Sequence, residues 1–152
     1  MNIKEKIQAI VFRKTKTSVE YLCLKRTPKN GGIWQPVTGN KDESDKSLLE
    51  TCKREIKEEI GISNPVKIIE NIYFFTFDTK KNGEPIEFEE TVFGVEIEYD
   101  NEIRLQKEPY QEHNEYVWTS YDGAFELFNF ISQKEALNKL HRILLKEITI
   151  RN

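Results

Sequence analysis

The sequence is poor in cysteine, glycine and proline, and it has no long apolar run. Two cysteines, seven glycines and five prolines among 152 residues exclude a disulfide-stabilised scaffold and a low-complexity chain. The apolar residues 9–12 are followed by Arg13, so the segment is too short for a signal-peptide core. No run approaches the roughly 18 residues that a membrane span needs. Cys23 and Cys52 are interpreted as small buried hydrophobes in a reducing compartment, and we expect a cytoplasmic protein.

Neither sign of charge is in large excess. The 23 Lys and Arg residues face 26 Asp and Glu residues, a formal net charge of −3. This balance gives no global attraction to nucleic acid or to an anionic membrane, and we expect neither as a partner. The length suits a single domain over residues 1–152 with one core, while the composition favours neither a monomer nor a homodimer. A polyanionic small-molecule ligand therefore needs a local site.

The residue pattern predicts strands that alternate with two capped helices. Ser47 and Glu50 form a capping box, and Gly61 stops the helix that follows. Ser132 and Glu135 form a second box before a segment with helical period. Runs of β-branched and aromatic residues predict strands at 7–12, 19–25, 34–38, 66–77, 88–97 and 115–119. We expect an α+β fold in which a mixed β-sheet packs between helices.

The first predicted helix carries a row of carboxylates. At 100° per residue, Glu55, Glu58 and Glu59 share one face about 100° wide. The row is unfavourable for stability, because like charges repel at these spacings and the helix dipole opposes anions near its C-terminus. A solvated charged face is one interpretation. A site for Mg²⁺, which prefers a few carboxylate oxygens, is the other, and the clustering of the three acids favours it.

Residues 39–62 resemble the signature sequence of the Nudix family, the Nudix box. That pattern is Gly, five residues, Glu, seven residues, Arg-Glu, an aliphatic, any residue, Glu-Glu, any residue, Gly and an aliphatic. Residues 54–62, which read REIKEEIGI, match every specified position.

The first half of the box departs from the pattern. Counting back from Arg54, Lys46 stands where the family has Glu, and Asn40 stands where the family has Gly. We expect a one-residue insertion in the loop from Gly39 to Asp45, with Asp45 or Glu43 in place of the missing acid.

The resemblance implies a Nudix α/β/α sandwich and hydrolysis of a nucleoside diphosphate linked to another moiety. By the same resemblance, Glu55 and Glu59 bind metal, Glu58 is a further ligand or the catalytic base, and Arg54 orients the glutamates. The implied cofactor is Mg²⁺, for which Mn²⁺ can substitute. The alternative from a different class is a nucleotide-binding Nudix-like module without turnover.

Three further segments are similar to the bacterial dihydroneopterin triphosphate pyrophosphatases of this family: residues 34–39, 112–118 and 130–136. They imply cleavage of a dihydroneopterin or (deoxy)nucleoside triphosphate to a monophosphate and pyrophosphate. Diadenosine tetraphosphate hydrolases share a similar Glu-His…Tyr…Trp segment and remain the alternative, although they usually open the box with Pro-Lys-Gly-His.

The same matching assigns residues outside the box. Glu112 is expected to be a distal metal-binding and catalytic carboxylate, with Glu115 as the fallback. Trp34, Phe74, Phe75 and Tyr116 are candidates for a stacking face, with Trp34 or Phe74 preferred, although core packing alone would explain each ring. His113 and His141 are expected to be structural. The expected substrate-binding residues are Arg26, Trp34, Thr38 and Ser132.

Overall fold

The computed structural model describes residues 2–151, with side chains described through residue 147. The strands are β1 (Asn2–Lys14), β2 (Val19–Arg26), β3 (Trp34–Gln35), β4 (Val37–Asn40), β5 (Lys67–Lys81), β6 (Glu84–Glu96) and β7 (His113–Thr119). They form a mixed sheet with the order β3-β2-β1-β6-β5, in which β4 pairs with β1 and β7 pairs with β2. β1 runs parallel to β6 and antiparallel to β2 and β4.

Two of the strands extend well beyond their predicted bounds. β5 and β6 continue to a two-residue turn at Asn82 and Gly83, whose φ angles are 53° and 80°. A left-handed Asn-Gly pair matches the twist of a tight hairpin. The two strands therefore occupy most of the segment between the predicted strands 66–77 and 88–97. β1 is likewise longer than predicted, because its polar first half pairs with β6 from Asn2 onward.

The helices are α1 (Leu48–Ile60), α2 (Tyr121–Leu127) and α3 (Ile131–Arg151). The predicted ends of α1 are confirmed: Ser47 Oγ accepts from Glu50 N at 3.2 Å, and Gly61 caps the C-terminus with φ 75°. The sequence analysis missed α2.

The N-cap role predicted for Ser132 is wrong. α3 begins two residues earlier than a Ser132 cap requires, at Ile131, and Phe130 N donates to Gln133 Oε1 at 3.2 Å. Glu135 accepts a hydrogen bond from the hydroxyl of Tyr73 instead. Two overlapping capping patterns exist in this segment, and the earlier one is used.

Each face of the sheet is covered by helices. Ile7, Leu22 and Phe93 pack against Ile56 of α1 on one face. On the opposite face, side chains that include Phe12 and Tyr21 pack against residues of α2 and α3. The predicted mixed sheet between helices is thereby confirmed. Among the described residues, no helix is long and apolar enough to span a membrane.

Both cysteines lie within these cores. Cys23 and Cys52 are fully buried and unpaired. Burial raises the pKa of each thiol to about 12, so both are inert at neutral pH. Their predicted role as small buried hydrophobes is confirmed.

Candidate active site

Helix α1 places its carboxylates at the edge of its buried face. Glu55 and Glu59 are 8% and 5% exposed, whereas the Glu58 side chain is 46% exposed. The carboxyl group of Glu55 lies against the backbone of β4, where a Cβ on Gly39 would come within 2.1 Å of Glu55 Cδ. Only glycine leaves room for this contact. Burial raises the pKa of Glu55 to about 7, although Arg54 opposes the shift.

Arg54 ties the carboxylates to the preceding loop. Its Nη1 donates to Glu55 Oε1 at 2.9 Å and to Glu58 Oε2 at 3.3 Å. Its Nη2 donates to the backbone oxygen of Asn40 at 2.9 Å. Nε and Nη2 donate to the two oxygens of Asp45 at 3.2 and 2.9 Å. This bidentate pair uses the planar fork of the guanidinium.

Asp45, rather than Glu43, takes the place of the missing acid. Asp45 is buried and also accepts hydrogen bonds from Thr51 Oγ1 and from Asp42 N, both at 2.9 Å. The hydrogen bond from Arg54 is the largest cause that holds the pKa of Asp45 below its usual range. Glu43, in contrast, is exposed.

The extra residue of the box was predicted in the wrong segment. Gly39 and Asp45 are separated by five residues, which is the spacing of the family pattern. The extra residue lies between Asp45 and Arg54, where Lys46 is exposed and its backbone N–H donates to Glu50 Oε2 at 2.6 Å. The start of the helix therefore absorbs the insertion without displacing the carboxylates.

A second acidic group reaches α1 from the segment before β7. Ligand atoms of Glu59, Glu112 and His113 lie within 4.8 Å of one another. Burial raises the pKa of both Glu59 and Glu112, and the nearby charge of Glu59 raises the pKa of Glu112 further. Glu115 instead pairs with Lys25 at 3.4 Å and its side chain is 58% exposed, so Glu112 is the distal acid that the structure brings to the site.

His113 holds Glu59 in place. Its Nδ1 is 3.0 Å from Glu59 Oε2, and its Nε2 is 3.0 Å from the amide nitrogen of Gln35. The Gln35 amide donates, so Nε2 is the acceptor. Nδ1 therefore carries the ring proton and donates a hydrogen bond to Glu59. Burial lowers the pKa of His113 to about 4, so the ring is neutral at neutral pH. His113 was predicted to be structural, and its contact with the carboxylate row was not predicted from the sequence.

These groups line what we call the acidic groove, a cavity of about 340 Å³. Five acids face two bases, and one base, Arg54, is already engaged by Asp45. Crowded carboxylate oxygens with little cationic compensation fit a divalent cation such as Mg²⁺. The lining residues are Lys6, Thr38, Gly39, Asn40, Asp42, Arg54, Glu55, Glu58, Glu59 and Glu112.

A second space, which we call the aromatic cavity, adjoins the groove. Its volume is about 510 Å³. Lys6 and Thr38 line both spaces, and Arg26 joins them, because its Nη2 is 3.9 Å from Glu112 Oε1. The lining residues are Lys6, Arg26, Gln35, Thr38, Phe75, Thr76, Phe77, Glu90, Phe130, Ser132 and Gln133.

The structure therefore brings together most of the residues that the sequence singled out. Arg26, Thr38 and Ser132 line the aromatic cavity. Trp34 is not among its described lining residues; it packs at the edge of the core, with Lys25 Nζ 5.9 Å from its ring centre. Phe74 is 56% exposed and is also outside the cavity lining. The aromatic walls come from Phe75, Phe77 and Phe130. Phe75 was one of the predicted stacking candidates, although not a preferred one, and Phe77 and Phe130 were not predicted as stacking residues.

Comparison with known proteins agrees with this architecture. Residues 5–140 match the family model described as the NUDIX domain. The chain belongs to the Nudix family. It is a hydrolase that acts on phosphoric anhydrides, and the predicted Nudix sandwich is confirmed.

Two kinds of curated proteins match the chain. It is 33% identical over 147 residues to the asymmetrical bis(5'-nucleosyl)-tetraphosphatase of Sus scrofa, covering 89% of this chain and 91% of that protein. It is 29% identical over 118 residues to an octanoyltransferase of Myxococcus xanthus. That match covers 78% of this chain but spans only 31% of the octanoyltransferase.

Solved structures share the fold. A protein from Listeria monocytogenes described as a NUDIX hydrolase superimposes with a TM-score of 0.77 at 25% identity, covering 93% of this chain and 94% of that chain. The dihydroneopterin triphosphate pyrophosphohydrolase of E. coli gives a TM-score of 0.72 at 20% identity, covering 93% and 98%.

Proposed function

We propose that this Nudix hydrolase uses Mg²⁺ to cleave a nucleoside or dihydroneopterin triphosphate to a monophosphate and pyrophosphate. The observation that carries the proposal is the junction of the acidic groove with the aromatic cavity. A groove of carboxylates suits the metal and the phosphates, and an aromatic-walled cavity suits one flat ring. The two buried cysteines also support a cytoplasmic location, where thiols stay reduced.

Each charged side chain has a proposed task in the groove. Glu55, Glu59 and Glu112 would hold the cation, which when bound supplies charge neutralisation and a more acidic water. Glu58, which among the described residues is tied to Arg54 alone, accepts the proton of the attacking water. Arg54 fixes the directions of Glu55 and Glu58 and is itself fixed by Asp45.

Cations at the junction would bind the phosphate chain. Arg26 has a buried Nε with no hydrogen-bond partner among the described residues, and its Nη2 is at 3.9 Å from Glu112. It therefore retains donors for a phosphate oxygen. Lys6, which lines both spaces, offers a second charge. Phe75, Phe77 and Phe130 would pack against the ring, with Thr38 and Ser132 near its polar atoms.

Hydrolysis of diadenosine tetraphosphate is the second candidate. It is favoured by the match to the Sus scrofa tetraphosphatase over nine-tenths of both chains. A dinucleotide needs room for two nucleosides, whereas the ring site described above is a single aromatic cavity of about 510 Å³. We therefore place it second.

A substrate panel separates the two candidates. Dihydroneopterin triphosphate, GTP, dATP and diadenosine tetraphosphate would be incubated with the protein and Mg²⁺, and the products resolved by ion-exchange chromatography. The proposal predicts free pyrophosphate and a monophosphate from the triphosphates. A higher kcat/KM for the dinucleotide, with ATP and AMP as products, would establish the second candidate instead.

A further inference from the structure

One carboxyl group in the aromatic cavity has no task in the proposed chemistry. Glu90 lies on β6, lines the cavity and is 5% exposed. It accepts no hydrogen bond from the described part of the chain, and Lys6 is the one charged residue that acts on it appreciably. A buried carboxylate without donors is costly, since the desolvation of the group is not offset. A ligand that brings its own donors would remove that cost.

The sheet places this carboxylate beside the aromatic wall. Phe75 of β5 and Lys6 of β1 are the direct cross-strand neighbours of Glu90, so the three side chains form a row on one face of the sheet. A ring packed against Phe75 would present its edge to the Glu90 oxygens. Lys6, at the other end of the row, also lines the acidic groove, which puts the phosphate end of the ligand on the side away from Phe75.

Above about pH 7 the carboxyl group of Glu90 is mostly ionised, because its raised pKa is about 7. An ionised carboxylate only accepts hydrogen bonds. The ring edge that matches it has two adjacent N–H donors. The 2-amino-4-oxopyrimidine edge, which guanine and pterin share, has a ring N–H beside an amino group. Adenine and cytosine place an acceptor nitrogen beside their amino group, and that nitrogen would face a carboxylate oxygen. A site built for two donors rejects such an analogue strongly, because its polar group stays unpaired.

We propose that Glu90 is a specificity-determining residue that selects substrates with a 2-amino-4-oxopyrimidine ring, through paired hydrogen bonds from the ring N–H and amino group. This inference rests on the proposed function for the identity of the reacting chain. The inference itself concerns recognition of the ring, which can be measured by binding without turnover.

The test compares nucleotides that differ only in the base. Calorimetric titration of wild type with GMP and AMP at about pH 8, where Glu90 is mostly ionised, reports binding in the presence of Mg²⁺. At the same pH, kcat/KM for GTP and ATP reports selection during turnover. We expect GMP to bind at least about tenfold more tightly than AMP, the range for a hydrogen bond to a charged group. Glu90→Gln replaces one acceptor oxygen by a donor. It should therefore weaken the binding of GMP by about 10- to 100-fold and leave the binding of AMP equal or tighter.

Glu89→Gln is the matched control. It makes the same chemical change one residue earlier on β6, on the opposite face of the sheet. It should leave the ratio of the GMP and AMP affinities unchanged. Equal binding of GMP and AMP to wild type would overturn the inference, as would equal losses for both in Glu90→Gln. If no triphosphate releases pyrophosphate but the GMP preference and its loss are observed, the proposed function fails and the inference stands. The wild-type comparison keeps the test decisive even if Glu90→Gln does not fold.

Discussion

Replacing Glu90 by Gln should make the protein more stable at alkaline pH. Glu90 is buried among the cavity walls, and burial raises its pKa from 4.5 to about 7 against the opposing effect of Lys6. Glutamine has nearly the same shape and no charge. The substitution therefore removes the desolvation cost of the ionised form while it leaves the packing of β6 intact.

The size and sign of the effect follow from the raised pKa. The native state binds the proton more tightly than the unfolded chain, whose glutamates titrate near 4.3. The contribution of Glu90 to stability is therefore fully present below that value and is lost as the pH rises through about 7. At about 1.4 kcal/mol per pH unit, the full loss of stability is roughly 4 kcal/mol. Between pH 5 and pH 8.5, the free energy of unfolding of wild type should fall by about 2 to 3 kcal/mol relative to that of Glu90→Gln.

Urea unfolding followed by tryptophan fluorescence measures this difference. Both proteins would be unfolded at pH 5 and pH 8.5, so that the other titrating groups, which the two proteins share, cancel in the comparison. Glu89→Gln serves as the control, with no pH-dependent difference expected. A Glu90→Gln variant whose advantage is the same at both pH values, or that is less stable than wild type at pH 8.5, would refute the reasoning.

Three further substitutions test individual contacts. Asp45→Asn should lower kcat about 10- to 100-fold by loosening Arg54. Lys46→Glu should leave kcat within about threefold of wild type, because Lys46 is exposed. A large gain of kcat in Lys46→Glu would contradict the compensation by Asp45. His113→Phe should lower kcat about 10- to 100-fold because Glu59 loses its donor, and unchanged kinetics would show that this contact has no role in turnover. Gln8→Leu should raise the free energy of unfolding, measured in urea, by about 1 to 3 kcal/mol. The reason is that both polar atoms of the fully buried Gln8 amide lack a partner among the described residues. A loss of stability would show that the amide is satisfied.

Helix α1 could be predicted from sequence because its signals are local. The Ser47 cap, the Gly61 stop and the apolar stripe all lie within one segment. The carboxylate row follows from helical geometry alone. Arg26 and Glu112 were predicted only from the family resemblance, because no pattern in their local sequence connects them to α1.

The choice between Phe74 and Phe75 could not be made from sequence because the alternation of β5 changes within the strand. The register with β6 shifts between Ile69 and Tyr73, and Asn71 has a φ of 55°. Alternation counted from the start of the strand does not carry across such a bulge. Phe75, rather than Phe74, therefore lines the cavity.

The contact between His113 and Glu59 was missed for a different reason. It joins residues 54 positions apart, and a lone histidine has no spacing pattern that marks it. The placement of Glu90 in the cavity depends in the same way on the pairing of β6 with β1 and β5.

The most direct test of the central claim is cation binding and turnover measured together in wild type, Glu59→Gln and Glu115→Gln. Mn²⁺ binding would be followed by calorimetry, and pyrophosphate release from GTP and dihydroneopterin triphosphate by a coupled assay with Mg²⁺. The account predicts that EDTA abolishes wild-type turnover and that Glu59→Gln loses both cation affinity and turnover. Glu115→Gln, whose glutamate pairs with Lys25 outside the groove, should keep both. Turnover that persists in EDTA, or a Glu59→Gln variant as active as wild type, would contradict it.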